Sequence, residues 1–248
     1  MIATQYTRLC GYPEGMHMKA NWYNIASGRA AFYDLLVAVF ELLPGRVLLA
    51  KIRDGELERL LARYRGLPDQ GIRAGLDRIS SYQAAIREKP EEDVLTELAV
   101  DRTRILRGTG HADIKPPYEG LYRKGAGFGD YVLGVKRFYR KAGLMPDETV
   151  GESADYLCVE LDFMKQLCLR EEAARLCEGE IRETVAKTIA RTLELEEEFL
   201  RVHLGNWVGE FCSTVEKHAS TDFYRGFALI LDAYIRMDRK WLASLVRL

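Results

Sequence analysis

Apolar positions recur at three- and four-residue intervals through almost the whole chain, which is the period of an amphipathic helix. From about Asn24 to Leu43 the spacing puts Ala31, Leu35, Val39 and Leu42 on one stripe, with Phe32 and Leu36 beside it, and Pro44-Gly45 ends the run. Shorter helices are predicted over Val47–Ile52 and Gly55–Tyr64, before Gly66-Leu67-Pro68 breaks the chain. Asp69 is placed to cap a helix running to Arg87, although Gly71 and Gly75 weaken its first turns. Pro90 suits the first turn of the next helix, where Glu91, Glu92 and Asp93 complement the dipole. That helix carries Val94, Leu95, Leu98, Ile105 and Leu106 on its apolar face and stops at Gly108.

From Gly108 to Gly129 the periodic pattern gives way to Gly, Pro and His, and Pro116-Pro117 forbids a helix interior. Long connections of this kind inside a compact domain tend to be functional or disordered. Helical spacing resumes from about Asp130 to Ala142, ending at Gly143. It continues over Glu152–Leu169, Glu171–His203, Asn206–Lys217 and Asp222–Met237, the last capped by Ser220, Thr221 or Asp222. No convincing alternation marks a strand and no period of repeats marks a solenoid. The expected fold class is therefore all-α, a single-domain helical bundle of about 10–12 helices with one long Pro/Gly-rich connecting loop. The expected organisation is an N-terminal extension over residues 1–20, with Met16 and Met18 as alternative starts. A helical domain follows over 21–248, divided into 21–107, a loop or hinge over 108–129, and 130–248.

Composition narrows the function classes. A chain of 248 residues with 48% hydrophobic and 29% charged residues has core enough without disulfides or metal. The net charge of −1 lacks the basic excess of a nucleic-acid binder. The apolar run Ala30–Leu43 is interrupted by Asp34 and Glu41 and is too short to span a bilayer, and Arg8, Glu14 and Lys19 break up any secretory signal. The expected setting is cytoplasmic. Cys10, Cys158, Cys168, Cys177 and Cys212 form no CxxC and read as small core residues in a reducing compartment. His17, His111, His203 and His218 are dispersed, none has a Glu three residues before it, and no metal site is expected.

Three segments could carry chemistry. In Glu152–Met164, helical spacing sets Leu157, Leu161, Met164 and Cys168 on one stripe, and Glu152, Tyr156, Glu160, Phe163 and Leu167 on another beside Asp155. Those carboxylates either hold a cation next to an apolar segment or serve the helix dipole and salt bridges. In Pro116-Pro117-Tyr118-Glu119-Gly120-Leu121-Tyr122, the prolines present two tyrosines at little ordering cost, either to line a peptide groove or as a rigid connector. Gly125-Ala126-Gly127-Phe128-Gly129 follows no strand and precedes no Lys-Ser/Thr, so it reads as a hinge rather than a phosphate loop. Lys136, Arg137, Arg140 and Lys141 read as a solvated basic face.

Taken in order, these segments resemble the TorD/DmsD/NarJ family of redox-enzyme maturation chaperones. The resemblance rests on Pro116-Pro117-Tyr118 with Tyr122, on Glu152-x-x-Asp155-Tyr156-x-x-x-Glu160-Leu161-x-Phe163-Met164, and on Phe138-Tyr139-x-x-Ala142-Gly143-Leu144. His203-Leu204-x-x-Trp207 and Phe223-Tyr224-Arg225-Gly226 add to it. It implies a non-catalytic cytoplasmic chaperone without a cofactor of its own. Such a protein binds the twin-arginine leader or N-terminal segment of a molybdopterin-containing oxidoreductase catalytic subunit, delays export and assists molybdenum cofactor insertion. No nucleic acid and no stable membrane insertion are implied, and the chain is a monomer or a domain-swapped homodimer. The implied leader-binding residues are Pro117, Tyr118, Tyr122, Glu152, Asp155, Tyr156 and Glu160. Tyr156 stands where the family has His, and a phenol with a pKa near 10 does not replace an imidazole that titrates at neutral pH. Gly120 stands where Ser is commoner. The alternatives are a small helical enzyme using the carboxylates as acid–base groups and a helical scaffold for another protein.

Overall fold

Helix ends fall largely where the chain's breakers put them. The computed structural model describes residues 26–109, 113–125, 127–145, 151–177 and 182–246. Among them are eleven α-helices and no strand. They are α1 Ala26–Glu41, α2 Arg46–Arg53, α3 Glu56–Ala62, α4 Gln70–Ala85, α5 Glu91–Arg107, α6 Glu119–Tyr122, α7 Phe128–Ala142, α8 Leu157–Leu176, α9 Arg182–Val202, α10 Val208–His218 and α11 Asp222–Val246. Asp69 caps α4 by accepting from the Gly71 N–H at 2.7 Å, as its position predicts. Gly108 and Gly143 end α5 and α7 in the left-handed conformation, at φ 64° and 67°.

The all-α single domain is built around α11, whose Phe223, Tyr224, Phe227, Ile230, Leu231, Tyr234 and Ile235 are all buried. It packs on α4, α9 and α10, while α1 lies along α8. The weak glycine in α4 has a packing reason. A Cβ on Gly75 would lie 2.5 Å from the Gly226 carbonyl oxygen, so the two helices cross backbone to backbone. Asp101 of α5 caps α11 from outside, accepting from the Ser220 and Thr221 amides at 2.7 and 2.8 Å and from the Thr221 hydroxyl at 2.7 Å.

One buried cation ties four helices. Arg29 of α1 donates to Asp238 of α11 at 2.8 and 3.1 Å, and pairs with Glu196 of α9 at 2.6 Å and Glu171 of α8 at 3.4 Å. The Tyr33 hydroxyl donates to Asp238 at 2.7 Å. A single guanidinium faces three carboxylates, with Arg175 assisting only Glu171. Burial raises the Glu196 carboxyl to about 7; Arg29 opposes this, and Asp238 and Glu171 add to it.

Several boundaries differ from the sequence expectation, the most consequential for a tertiary reason. The segment 152–156 precedes α8 instead of forming its first turns, because Tyr156 has extended ψ (139°) and its backbone pairs with Tyr118. The two predicted stripes therefore begin at Leu157, and Glu152, Asp155 and Tyr156 do not share a face of α8. That helix runs on past residue 169 to 176, where a break at 170 was expected. The Pro/Gly-rich stretch holds the short α6, and α7 starts at 128. Pro90 is the N-cap residue rather than the first helical one, and α11 continues to 246. Cys158, Cys168 and Cys212 are buried as expected, but Cys177 is exposed just past the end of α8. Residues 1–20, with Cys10 and His17, and also His111, lie outside the described residues.

Replacing Arg29 with Leu leaves buried carboxylates without their cation and should cost roughly 3–5 kcal/mol in urea unfolding. Because Glu196 holds its proton more tightly folded than unfolded, its contribution is fully present below about 4.5 and is lost as pH rises through about 7. Unfolding free energy should fall over that window, and Glu196→Gln should flatten the slope.

Candidate functional site

The first amides of any helix lack intrahelical partners. At α6 and α8 each start supplies the other's. The Leu157 N–H opening α8 donates to the Pro117 carbonyl at 2.9 Å. The Glu119 N–H opening α6 donates to the Asp155 carbonyl, also at 2.9 Å. These bonds form an antiparallel bridge between Tyr118 and Tyr156. Asp155 adds its side chain, whose Oδ2 accepts from the Gly120 N–H at 3.1 Å. Its other oxygen has no partner among the described residues, and the side chain is wholly buried. Pro117 is suited to this place because it needs only its carbonyl.

Beneath the bridge lies a second layer. Glu119, also buried, pairs through one oxygen with Arg123 Nη1 at 2.7 Å and through the other with His203 Nδ1 at 2.9 Å. The His203 ring is packed by Phe138 and Phe199, with centroids 5.7 and 5.3 Å away. Glu160 accepts from Trp207 Nε1 at 3.1 Å, and its second oxygen has no partner among the described residues. Burial, and then the nearby Glu119 carboxylate, push Glu160 well above the usual carboxylate range. Tyr122 donates to the Lys115 carbonyl at 2.6 Å and packs on Trp207 at 5.6 Å. Tyr139 of α7 donates to the Ala154 carbonyl at 2.9 Å.

The rim is what meets solvent. The Tyr118 hydroxyl donates to Glu152 Oε2 at 2.7 Å, and Arg107 Nη1 stands 3.2 Å from Glu152 Oε1. Partial burial, with the Glu152 carboxylate holding the phenol's proton, pushes the Tyr118 hydroxyl up to about 12. The Tyr118 and Tyr156 rings lie 5.2 Å apart.

All seven residues singled out from the sequence thus meet in one cluster, but in two roles. Pro117, Tyr122, Asp155, Tyr156 and Glu160 are buried, and the bonds they make are to the chain itself. Tyr118 and Glu152 are partly exposed. Glu119, Arg123 and the pairing role of His203 escaped the sequence reading. The Glu119–His203 contact joins residues 84 positions apart, which no local spacing marks, whereas Glu119 and Arg123 are four residues apart, a spacing that was legible in the chain. Arg107 was missed likewise. Lys136, Arg137, Arg140 and Lys141 do lie at the surface, Lys141 pairing with Glu198. Among the described residues no group of three or more His, Cys, Asp or Glu side chains is placed to hold a metal ion, and no helix is long and apolar enough to cross a membrane.

Fold and site together define an all-helical protein in which a proline loop is clasped to the start of a central helix, with a tyrosine–carboxylate pair at its edge. The family described as nitrate reductase delta subunit matches residues 66–213, more than half of the sequence, and this chain belongs to that family. It is 23% identical to the chaperone protein TorD of Shewanella pealeana over 226 residues, which cover 87% of this chain and 90% of that protein. It is 25% identical to TorD of Vibrio atlanticus over 168 residues (66% and 73%), and 24% identical to TorD of Vibrio parahaemolyticus over 195 residues (75% and 86%). These relatives are named as chaperones, a non-enzymatic class.

Asp155→Ala should free the Gly120 amide and loosen the clasp. The expected readout is faster hydrogen exchange at residues 118–122 and a loss of about 1–3 kcal/mol, the usual consequence of removing a buried charged acceptor. Unchanged exchange there would show that the backbone bridge suffices without the side chain.

Proposed function

We propose that this chain is a system-specific chaperone for the maturation of a redox enzyme. Its client is the catalytic subunit of a molybdopterin-containing oxidoreductase. It binds that subunit's twin-arginine leader or N-terminal segment in the cytoplasm and holds it while the cofactor is inserted. Family membership supports the kind of protein and the kind of client. The observation that carries the reading is the rim, where Glu152 and Tyr118 stand at the surface on a clasp that fixes them.

A carboxylate is the natural forked partner of a guanidinium. In the free protein Arg107 occupies one oxygen of Glu152, so an incoming arginine exchanges with it. Arg107 is half exposed, and an ion pair of that kind contributes only about 0–1 kcal/mol. The exchange therefore costs little, and Arg107 holds the site's charge balanced until a client arrives. Asp155 and Glu160 act from below in this reading: they fix the loop that carries Tyr118 rather than touching the ligand. Micromolar binding, about −8 kcal/mol, suits a chaperone that must let go. No observation favours an acid–base enzyme: Asp155 and Glu160 are wholly buried, and the bonds they make are to the Gly120 amide and the Trp207 indole.

Calorimetry with the client's N-terminal peptide tests the proposal. Glu152→Gln should weaken binding about tenfold, or about 1.4 kcal/mol. Arg107→Gln should leave it unchanged or tighten it by up to about fivefold, the equivalent of one surface ion pair. A peptide with both arginines replaced by alanine should lose binding. If Glu152→Gln and the arginine-free peptide both bind like their parents, the rim is not the site.

A further inference from the structure

Glu119 does more than fill space beneath the clasp. It is the first residue of α6, it is wholly buried, and both of its carboxylate oxygens are engaged, one by Arg123 and the other by His203. The two partners approach along different routes. Arg123 directly follows α6; its guanidinium also donates to the Val202 carbonyl at the end of α9 and lies 5.0 Å from the centre of the Tyr131 ring of α7. His203 directly follows α9. One carboxylate therefore ties α6 to the end of α9 twice, once through a side chain and once through a guanidinium shared with a backbone carbonyl.

The end of α9 is a firm anchor. Thr192, Glu196 and Phe199 fall on one buried face of that helix. The His203 amide still donates to the Phe199 carbonyl at 2.9 Å, so the imidazole continues the same line. On that line Glu196 is paired with Arg29 at the centre of the bundle, at 2.6 Å. The group that grips Glu119 thus belongs to an element fixed far from the rim.

Tyr118 is the residue immediately before Glu119 and has extended backbone, at φ −115° and ψ 130°. The backbone bonds of the clasp and the Asp155 carboxylate hold the start of α6, but a helix of four residues has little rigidity of its own. Any turn of it about its axis is carried to the end of the Tyr118 ring, whose hydroxyl must stay beside Glu152. A carboxylate that receives a guanidinium in forked geometry tolerates little displacement of its neighbours.

We infer that Glu119, Arg123 and His203 are positioning residues for the rim: they key α6 to the end of α9 and so set where the Tyr118 hydroxyl stands beside Glu152. The inference rests on the function proposed above and adds the residues that hold its binding edge in register. None of the three touches the ligand; they act through Tyr118.

The test uses the full chain and calorimetry with a synthetic peptide, an arginine pair followed by a leucine–alanine run, and thermal melting checks that each variant folds. His203→Leu should weaken binding about fivefold, and His203→Asn, which keeps an N–H donor near the place of Nδ1, should recover most of that loss. In a chain already carrying Glu152→Gln, His203→Leu should cause little further loss, because its effect passes through the edge that Glu152 forms. An equal loss in both backgrounds marks a general weakening of the structure and overturns the inference. Arg123→Met, on a partly exposed side chain, carries the same comparison if His203→Leu melts early. If His203→Leu and Arg123→Met bind like the parent while Glu152→Gln binds weakly, the inference is wrong and the proposed function stands. If the parent does not bind the peptide, the function itself fails and the inference falls with it.

Discussion

Two helices that begin beside each other and share their unpaired amides set the geometry of this protein's candidate site. The bond from Leu157 to Pro117 and the bond from Glu119 to Asp155 each fill a vacancy that a helix start creates. A short helix of four residues has almost no stability of its own, because nucleation costs more than one turn returns. Here α6 persists because Asp155 caps it from the other segment through both its carbonyl and its carboxylate. Tyr118 sits in the middle of that exchange. Its position, and with it the bond to Glu152, depends on the clasp.

The carboxylates around the clasp divide by burial rather than by sequence motif. Glu119, Asp155 and Glu160 have lost water, and an unpaired charge there would be expensive. Arg123, His203, Trp207 and the Gly120 amide offset that cost in part, and at Glu160 burial raises the carboxyl well above the usual range. The same logic governs the centre of the bundle, where Arg29 serves three acids and Glu196 is raised to about 7. Replacing such groups by apolar ones of equal volume is often neutral or stabilising in proteins. What the structure shows of them is geometric: Arg29 connects α1 to α8, α9 and α11, and Glu119 connects α6 to His203 after α9.

The acid at the rim does different work. Glu152 keeps enough solvent contact to exchange partners, pairing with the half-exposed Arg107 and accepting from the Tyr118 hydroxyl. The buried acids hold the loop that carries Tyr118, and Glu152 is the one that meets solvent.

The order of helices and most of their ends were legible in the chain, because apolar period, Asp69, Gly108 and Gly143 are local signals with local causes. The proline loop and the Glu-x-x-Asp segment were also legible as a pair worth joining, through the resemblance that their ordered residues carry. What periodicity could not give was the conformation of 152–156. Read alone, those residues fit a helical turn; the competing bonds to a loop more than 30 residues earlier make them extended. Nor could spacing reveal that Asp155 and Glu160 face inward while Glu152 faces out, or that Glu119 meets His203. The sequence by itself determined an all-helical chain and which polar residues it had available. Only the tertiary structure decided which of them lost water, since burial of a charge depends on everything packed around it and not on its neighbours along the chain.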